Sequence, residues 1–387
     1  MLKRALPLVL FVAAVQAAPA HAAGLSRADA ATVEHLARTL GPRTGLIVTD
    51  TRGRTLASVR PGTRRPLGSV TKLFTTSAAV LGLTTPPRTT VELAGTVGPN
   101  GVLTGDVVLR GGGDAGLDDA GLGRLRDAVV AAGVRRVTGR VIGDGSLFDS
   151  AIGGPATGLA FDPEFDGAIG ALSFEHGRST PGGPFQLDPA FAAATRFDDL
   201  LEAAGVVLPN GPSSGPVPAR VPLATVDADL PGLLRAANTD SSAVTAETLG
   251  KLLAARRTGQ PGTTAAAAIA IAQIVRTRLG VRPVLADSAG FVAGSQATPR
   301  DVARLLRRMD RRAVFARSLA RPGSGTLRGR GLPAGCRAKT GTLRSAKATS
   351  LAGICRGRVF AVLTVGPSAE RARRVHDRIA SVLGRSS

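Results

Sequence analysis

Ser69-Val70-Thr71-Lys72 lies at the start of a predicted helix over residues 69–82 and places a serine and a lysine three residues apart. On a helix this spacing puts both side chains on one face, one turn from each other. A serine hydroxyl is a poor nucleophile until a base takes its proton, and a lysine amine does so when burial or nearby cations lower its pKa. The stretch therefore indicates Ser69 as a nucleophile and Lys72 as its base.

The composition makes this lysine more informative than it would be in an average chain. The 387 residues contain 49 Lys and Arg, of which five are lysines, and the formal net charge is +21. Arginine cannot serve as the base because its guanidinium stays protonated. A hydrophobic fraction of 43% is enough to form a core, so the chain is not a disordered basic tail.

A second lysine of this small set lies in Lys339-Thr340-Gly341-Thr342, on a predicted strand. Gly341 removes a side chain, so a ligand can lie against the strand. Lys339, Thr340 and Thr342 offer a cation and two hydroxyls to a carboxylate. The stretch therefore predicts a site for an anionic group.

The order of predicted elements indicates an α/β (α+β) fold. Strands are predicted near both ends of the chain and helices between them, which favours one antiparallel sheet built from both termini. Residues 91–224 differ in character, with short β-rich runs followed by Gly- and Pro-rich sequence. We therefore predict a first part over residues 23–90, an inserted β-rich region over 91–224, and a second part over 225–387.

The N-terminus has the pattern of a secretory signal peptide over residues 1–22. Lys3 and Arg4 precede an apolar run, and Ala20-His21-Ala22 supplies a cleavage site. No second stretch approaches the ~18 apolar residues of a membrane span. We expect an exported protein without a membrane span, located in the periplasm or outside the cell, in association with the cell wall.

Cys336 and Cys355 are the two cysteines of the chain, and they flank a predicted hairpin. Export favours a disulfide between them, and two free buried thiols are the alternative. No metal site is expected, because the cysteines and histidines lack ligand spacing. His376, in the basic last helix, is predicted to face solvent.

Five further stretches accompany the two lysine motifs: LRGGGD at 109–114, GRVIGD at 139–144, DSAG at 287–290, TPRD at 298–301 and GSGTLRG at 323–329. With S-x-x-K and K-T-G in this order, the chain resembles the class C low-molecular-mass penicillin-binding proteins, which are secreted D-alanyl-D-alanine carboxypeptidases and endopeptidases. The resemblance covers residues 44–383. It implies a penicillin-binding/β-lactamase-like transpeptidase domain, an antiparallel sheet flanked by helices, with an inserted domain.

The resemblance also implies the roles of the site residues and the partners. Ser69 would attack the terminal D-Ala-D-Ala bond with Lys72 as general base, and Ser241 would relay a proton to the leaving amine. Lys339, Thr340 and Thr342 would hold the terminal carboxylate, and the backbone N–H groups of Ser69 and Thr342 would form the oxyanion hole. Peptidoglycan stem peptides are the expected substrates and β-lactams the expected covalent inhibitors, with no cofactor.

One position departs from the family pattern. The middle motif S-x-N should lie at Ser241, but the asparagine position holds Ala243, and no asparagine of the chain follows a serine by two residues. The resemblance implies that this asparagine holds the lysine of the first motif and the substrate's amide, so Ala243 removes a hydrogen-bond donor and an acceptor. The alternative is therefore an impaired homologue that binds peptidoglycan peptides without efficient turnover. A β-lactamase is a third option.

Other classes of function are disfavoured. Gly111, Gly113 and Gly116 satisfy G-x-G-x-x-G, but no acidic residue follows at the dinucleotide-binding distance. The chain lacks the nucleophile elbow that a Ser-His-Asp hydrolase requires. The absence of Trp and Tyr argues against nucleic acid. The many arginines after Arg300 are interpreted as a solvated surface, with electrostatic association with an anionic wall as the functional alternative.

Overall fold

A computed structural model describes residues 24–162 and 165–385. The predicted signal peptide, residues 1–22, lies outside the described residues. Within the described ranges, no helix combines the length and the apolar character that crossing a membrane requires.

The elements of the described chain are ten α-helices and thirteen strands, with short 3-10 or π turns between some of them. The helices are α1 (Arg27–Arg38), α2 (Lys72–Gly82), α3 (Asp119–Ala131), α4 (Pro189–Ala203), α5 (Leu230–Arg235), α6 (Ala243–Thr258), α7 (Thr264–Leu279), α8 (Pro299–Met309), α9 (Ala313–Ser318) and α10 (Ala369–Leu383). The strands are β1 (Gly45–Thr49), β2 (Thr55–Val59), β3 (Arg65–Pro66), β4 (Arg88–Val97), β5 (Val102–Gly112), β6 (Arg136–Val137), β7 (Val141–Asp144), β8 (Ser213–Ser214), β9 (Ala224–Asp227), β10 (Gln296–Ala297), β11 (Cys336–Leu343), β12 (Ala348–Cys355) and β13 (Arg358–Val365).

The main sheet has five antiparallel strands in the order β11-β12-β13-β1-β2, so it joins the two ends of the chain. This confirms the α+β fold predicted from the order of elements. Both faces are covered: Ile47 of β1 packs with α2, α7 and α8, whereas Leu46 and Val48 pack with α1 and α10. Burial on both faces explains why β1 and β13 are almost continuous apolar runs.

A second sheet has the strand order β8-β7-β5-β4-β9, with β6 also paired to β5. It packs against α3 and α4 around its own core, which includes Val107, Leu125 and Phe197. The chain enters through β4 and leaves through β9, which are neighbouring antiparallel strands with Arg88 opposite Asp227. Because entry and exit lie side by side, we propose that residues 91–224 form a domain inserted into the first.

Cys336 and Cys355 are opposite each other on β11 and β12 and are joined by a disulfide. The bond lies at the end of the pair away from the connecting turn. It therefore holds the outer strand β11, which carries Lys339-Thr340-Gly341-Thr342, to the sheet.

The prediction that His376 faces solvent is wrong. His376 is fully buried on α10, and its Nε2 lies 3.0 Å from Thr364 Oγ1 of β13. Its position follows from helical spacing, because His376 shares the apolar face with Ala372, Ile379 and Leu383. Burial, together with the charge of Arg330, lowers the pKa of His376 to about 3.

We predict that His376 makes folding sensitive to acid. The pKa of His376 is 6.5 in the unfolded chain and about 3 in the folded chain, so protonation favours the unfolded chain. The folded state therefore keeps its full stability above pH 6.5 and loses stability as the pH falls towards 3. Between pH 7 and pH 5 this single group should reduce the free energy of unfolding by about 2 kcal/mol. Denaturant unfolding of the wild type and of His376→Gln at both pH values measures the difference. Identical pH dependence in the two proteins would contradict the prediction.

Candidate active site

Ser69 lies in a 3-10 turn, Gly68–Thr71, that leads directly into α2. The turn is anchored because Val70, Leu73 and Phe74 are fully buried in the core beneath it. Ser69 itself is half-buried and lines a cavity. The sequence therefore fixes the backbone of the turn and leaves one hydroxyl at the surface of the cleft.

Lys72 is fully buried directly behind this hydroxyl. Its Nζ donates hydrogen bonds to Ser69 Oγ at 3.2 Å and to the carbonyl oxygen of Ala289 at 2.9 Å. Burial lowers the pKa of Lys72 to about 8, although the negative charges of Asp287, Asp166 and Glu247 oppose the change. An amine with this pKa is partly neutral near neutral pH and can accept a proton from Ser69.

The carbonyl that holds Lys72 is itself positioned by a buried carboxyl group. Glu247 Oε1 of α6 accepts hydrogen bonds from the backbone N–H groups of Ser288 and Ala289, each at 2.8 Å. Burial and the charge of Asp287 raise the pKa of Glu247 to about 7. Gly290 follows with φ +88°, and a Cβ there would lie 2.0 Å from the carbonyl oxygen of Gly68. The turn at 287–290 is thus fitted closely against the nucleophile turn.

Strand β11 lies against the nucleophile turn on the other side. A Cβ added to Gly341 would lie 2.5 Å from the carbonyl oxygen of Leu67 and 3.2 Å from the backbone nitrogen of Ser69. Glycine is therefore required for this close approach. The approach places Thr340 and Thr342 beside Ser69 in one cavity of about 390 Å³.

Lys339 is fully buried and donates a hydrogen bond from Nζ to Ser241 Oγ at 2.8 Å. Burial and the nearby charge of Lys72 place the pKa of Lys339 well below its usual range. Ser241 follows a π-helical turn, Ala236–Asp240, and has a left-handed φ of 68°. This strained conformation directs its side chain to Lys339 rather than along the helix.

Ala243 begins α6 and presents no polar atom beyond its backbone. Its N–H and that of Val244 donate to Asp166 Oδ1 at 2.9 and 3.2 Å. Burial disfavours ionisation of Asp166, but the hydrogen bond from Ser242 and the charge of His176 outweigh it and lower the pKa of Asp166. The carboxylate of Asp166 therefore occupies the start of the helix that carries Ala243.

Nearby Asn238 does not replace the missing asparagine. It is fully buried, and its side-chain amide donates to Thr76 Oγ1 at 3.1 Å and to Ser318 Oγ at 2.8 Å. These bonds tie the π turn to α2 and α9. Asn238 is therefore committed to the framework of the site.

The structure brings the predicted site residues together. Ser69, Ser241, Thr340, Gly341 and Thr342 line the 390 Å³ cavity, and Lys72 and Lys339 lie beneath its floor in contact with the two serines. Within residues 24–162 and 165–385, no three His, Cys, Asp or Glu side chains are grouped so that they could hold a metal ion.

Sequence reasoning did not identify Asp166, Glu247 or Arg373 as site residues. Asp166 reaches α6 across 77 positions of the chain from a Gly-rich stretch without regular pattern. Glu247 follows Ser241 by six residues, and no pattern in the sequence predicts its contacts with Ser288 and Ala289. Arg373, whose Nη2 donates to Thr342 Oγ1 at 3.1 Å, was one of many arginines in the last helix.

Comparisons with known proteins identify the family of the chain. Residues 26–159 and 184–385 match the family described as the D-Ala-D-Ala carboxypeptidase 3 (S13) family. A comparison with curated proteins finds no match.

Among solved structures, penicillin binding protein 4 from Haemophilus influenzae superposes with a TM-score of 0.75 at 19% identity, covering 92% of this chain and 99% of that chain. Its complex with a β-lactam gives a TM-score of 0.68 at 19% identity, with coverages of 90% and 98%. A predatory peptidoglycan endopeptidase from Bdellovibrio bacteriovorus gives 0.54 at 16% identity, with coverages of 88% and 92%. These structures share the fold.

The family match extends over most of the described chain and includes both lysine motifs. The prediction made from the sequence motifs is confirmed: the chain belongs to the D-Ala-D-Ala carboxypeptidase 3 (S13) family of low-molecular-mass penicillin-binding proteins.

Proposed function

We propose that the protein is an exported serine-type D-Ala-D-Ala carboxypeptidase that acts on peptidoglycan stem peptides through an acyl-enzyme on Ser69. The observation that carries the proposal is the contact of 3.2 Å between a buried lysine amine and Ser69 Oγ, at the floor of a cavity that Ser241 and Thr342 also line. The family match supports the peptidase class. β-Lactams would acylate the same serine.

The proposed reaction has two stages. Neutral Lys72 takes the proton of Ser69 as Oγ attacks the carbonyl of the terminal D-Ala-D-Ala bond, while the backbone N–H groups of Ser69 and Thr342 stabilise the oxyanion. Ser241 relays a proton to the leaving amine, and D-alanine departs. Water then hydrolyses the ester on Ser69 and returns the hydroxyl.

The position of Lys72 supports turnover despite Ala243. The family asparagine would contact this lysine, but here the carbonyl oxygen of Ala289 accepts from its Nζ at 2.9 Å, and Glu247 fixes that carbonyl. The base is therefore held in contact with Ser69 by backbone groups.

An impaired peptide-binding homologue is the second candidate. The observation that favours it is the absence of a side-chain amide at Ala243, with Asp166 bonded to the backbone at that point. The site would offer a substrate amide one hydrogen-bond donor and one acceptor fewer than a site with asparagine at this position.

Two finer points belong to the same proposal. A relative with this fold is described as a peptidoglycan endopeptidase, and we extend the proposed activity to cross-linked peptides. We also propose electrostatic association with the anionic cell wall, because α8 and α10 are rich in arginine. Release of the protein from walls by salt would test this association.

We predict that the purified protein releases D-alanine from a stem pentapeptide. Ser69→Ala should reduce the rate at least roughly a thousandfold, because the nucleophile is lost while the cavity is retained. Amino-acid analysis of the reaction measures the product. Equal release by Ser69→Ala would sink the proposed mechanism.

The pH profile of acylation should follow Lys72. Because its pKa is about 8, the neutral amine becomes scarcer below that value, so the rate should fall about tenfold per pH unit below 8 and level off above it. Stopped-time labelling with a fluorescent penicillin between pH 6 and 9 gives the profile. Lys72→Arg is the matched control, since it keeps the charge but cannot be deprotonated. A flat profile, or an active Lys72→Arg protein, would contradict the assignment.

The substitution Ala243→Asn separates the two candidates. If backbone groups hold Lys72, restoring the asparagine should change kcat for D-alanine release by less than about tenfold, or about 1.4 kcal/mol of activation free energy. An inert wild type that gains turnover with Ala243→Asn would instead establish the impaired homologue.

A further inference from the structure

Arg373 extends from the first turns of α10 over the mouth of the site. Its Nη2 donates a hydrogen bond to Thr342 Oγ1 at 3.1 Å. Arg373 also lines both cavities that Ser69 lines, one of about 390 Å³ and one of about 730 Å³. The guanidinium therefore lies at the junction of these two cavities.

Arg373 differs from three nearby arginines in what it binds. Arg374 pairs with Glu370 on the same helix, Arg371 donates to the carbonyl oxygen of Thr39, and Arg330 at the cavity wall pairs with Asp377. Within the part of the chain that the structure describes, no carboxylate lies within ion-pair distance of Arg373. Its charge is left for a ligand.

The buried lysine of the same strand is poorly suited to hold an anion. Lys339 is fully buried, and its Nζ is committed to Ser241 Oγ and to the carbonyl oxygen of Thr340. Burial and the charge of Lys72 also lower the pKa of Lys339. A guanidinium keeps its charge in such surroundings and presents several N–H donors in a fork that fits a carboxylate.

The contact with Thr342 also orients that hydroxyl. Because Oγ1 accepts from Arg373, the hydroxyl still has its own hydrogen to donate, and Thr342 lines the cavity. The guanidinium has further N–H donors besides the one used in this contact. The hydroxyl and the guanidinium can therefore both donate to one anionic group in the cavity that Ser69 lines.

We propose that Arg373, with the Thr342 hydroxyl, binds the terminal carboxylate of the peptide substrate and so selects chains that end in a free acid. The inference rests on the proposed function for the identity of the substrate. It shifts recognition of the carboxylate from the buried Lys339 to the accessible Arg373, and it makes Arg373 a specificity-determining residue.

The test compares a fluorescent penicillin that has a free carboxylate with its methyl ester. Arg373→Ala should lower the second-order rate constant of acylation by the acid roughly tenfold, because one charge-assisted contact is lost at a partly exposed site. Acylation by the ester should stay unchanged. Arg374→Ala, on the same helix but paired with Glu370, is the matched control and should match the wild type with both compounds. For Arg373→Lys, the rate constant of acylation by the acid should lie between those of the wild type and Arg373→Ala, since lysine keeps the charge without the forked N–H donors.

Equal slowing with acid and ester would indicate a structural role for Arg373 and overturn the inference, as would an unchanged rate with the acid. A second readout does not need acylation. In the Ser69→Ala background, ligand-observed NMR should show a preference for N-acetyl-D-alanyl-D-alanine over its C-terminal amide, and Arg373→Ala should abolish that preference.

The two readouts keep the failures apart. If penicillin does not label the wild type, the proposed function fails, and the NMR comparison alone decides the inference. A preference for the free carboxylate that Arg373→Ala abolishes then supports the inference. The inference is overturned if the Ser69→Ala protein shows no such preference.

Discussion

The burial of the Lys72 amine is the constraint on which the site depends. A lysine withdrawn from water must be hydrogen-bonded, and its two partners are Ser69 Oγ and the carbonyl oxygen of Ala289. The second partner requires the turn at 287–290 to reach the nucleophile turn, which Gly290 allows at a distance no Cβ would tolerate. Glu247 then satisfies the N–H groups that this turn leaves free. Reactivity of the amine and rigidity of the site therefore have one cause.

Most lysines of the described chain are buried. Lys72, Lys251 and Lys339 are fully buried, whereas Lys347 is exposed. Lys251 pairs with Asp149 and so ties α6 to the segment that follows β7. Many arginines, which keep a permanent charge, lie at the surface or at the rim of the cleft, although Arg65 and Arg358 are buried. Lys72 and Lys339, whose pKa values burial lowers, thus occupy positions where an amine of adjustable pKa is needed.

The sequence predicted the parts of the site that local spacing controls. The three-residue step from Ser69 to Lys72, the glycine of β11 and the strands of the main sheet all depend on helical or strand geometry within a short window. Asp166 and Arg373 could not be found in this way, because they reach the site from segments 77 and 31 positions distant from their partners. The exposure of His376 was predicted wrongly because charged residues surround it in the sequence. Its apolar face becomes visible only when the residues are arranged by helical spacing.

The central claim is that Ser69 forms the acyl-enzyme under the control of Lys72. Peptide mapping by mass spectrometry after incubation with benzylpenicillin tests it most directly. The account predicts a penicilloyl adduct on the peptide that contains Ser69, and no adduct in Ser69→Ala. An adduct on another residue, or a folded wild type that carries none, would contradict the account.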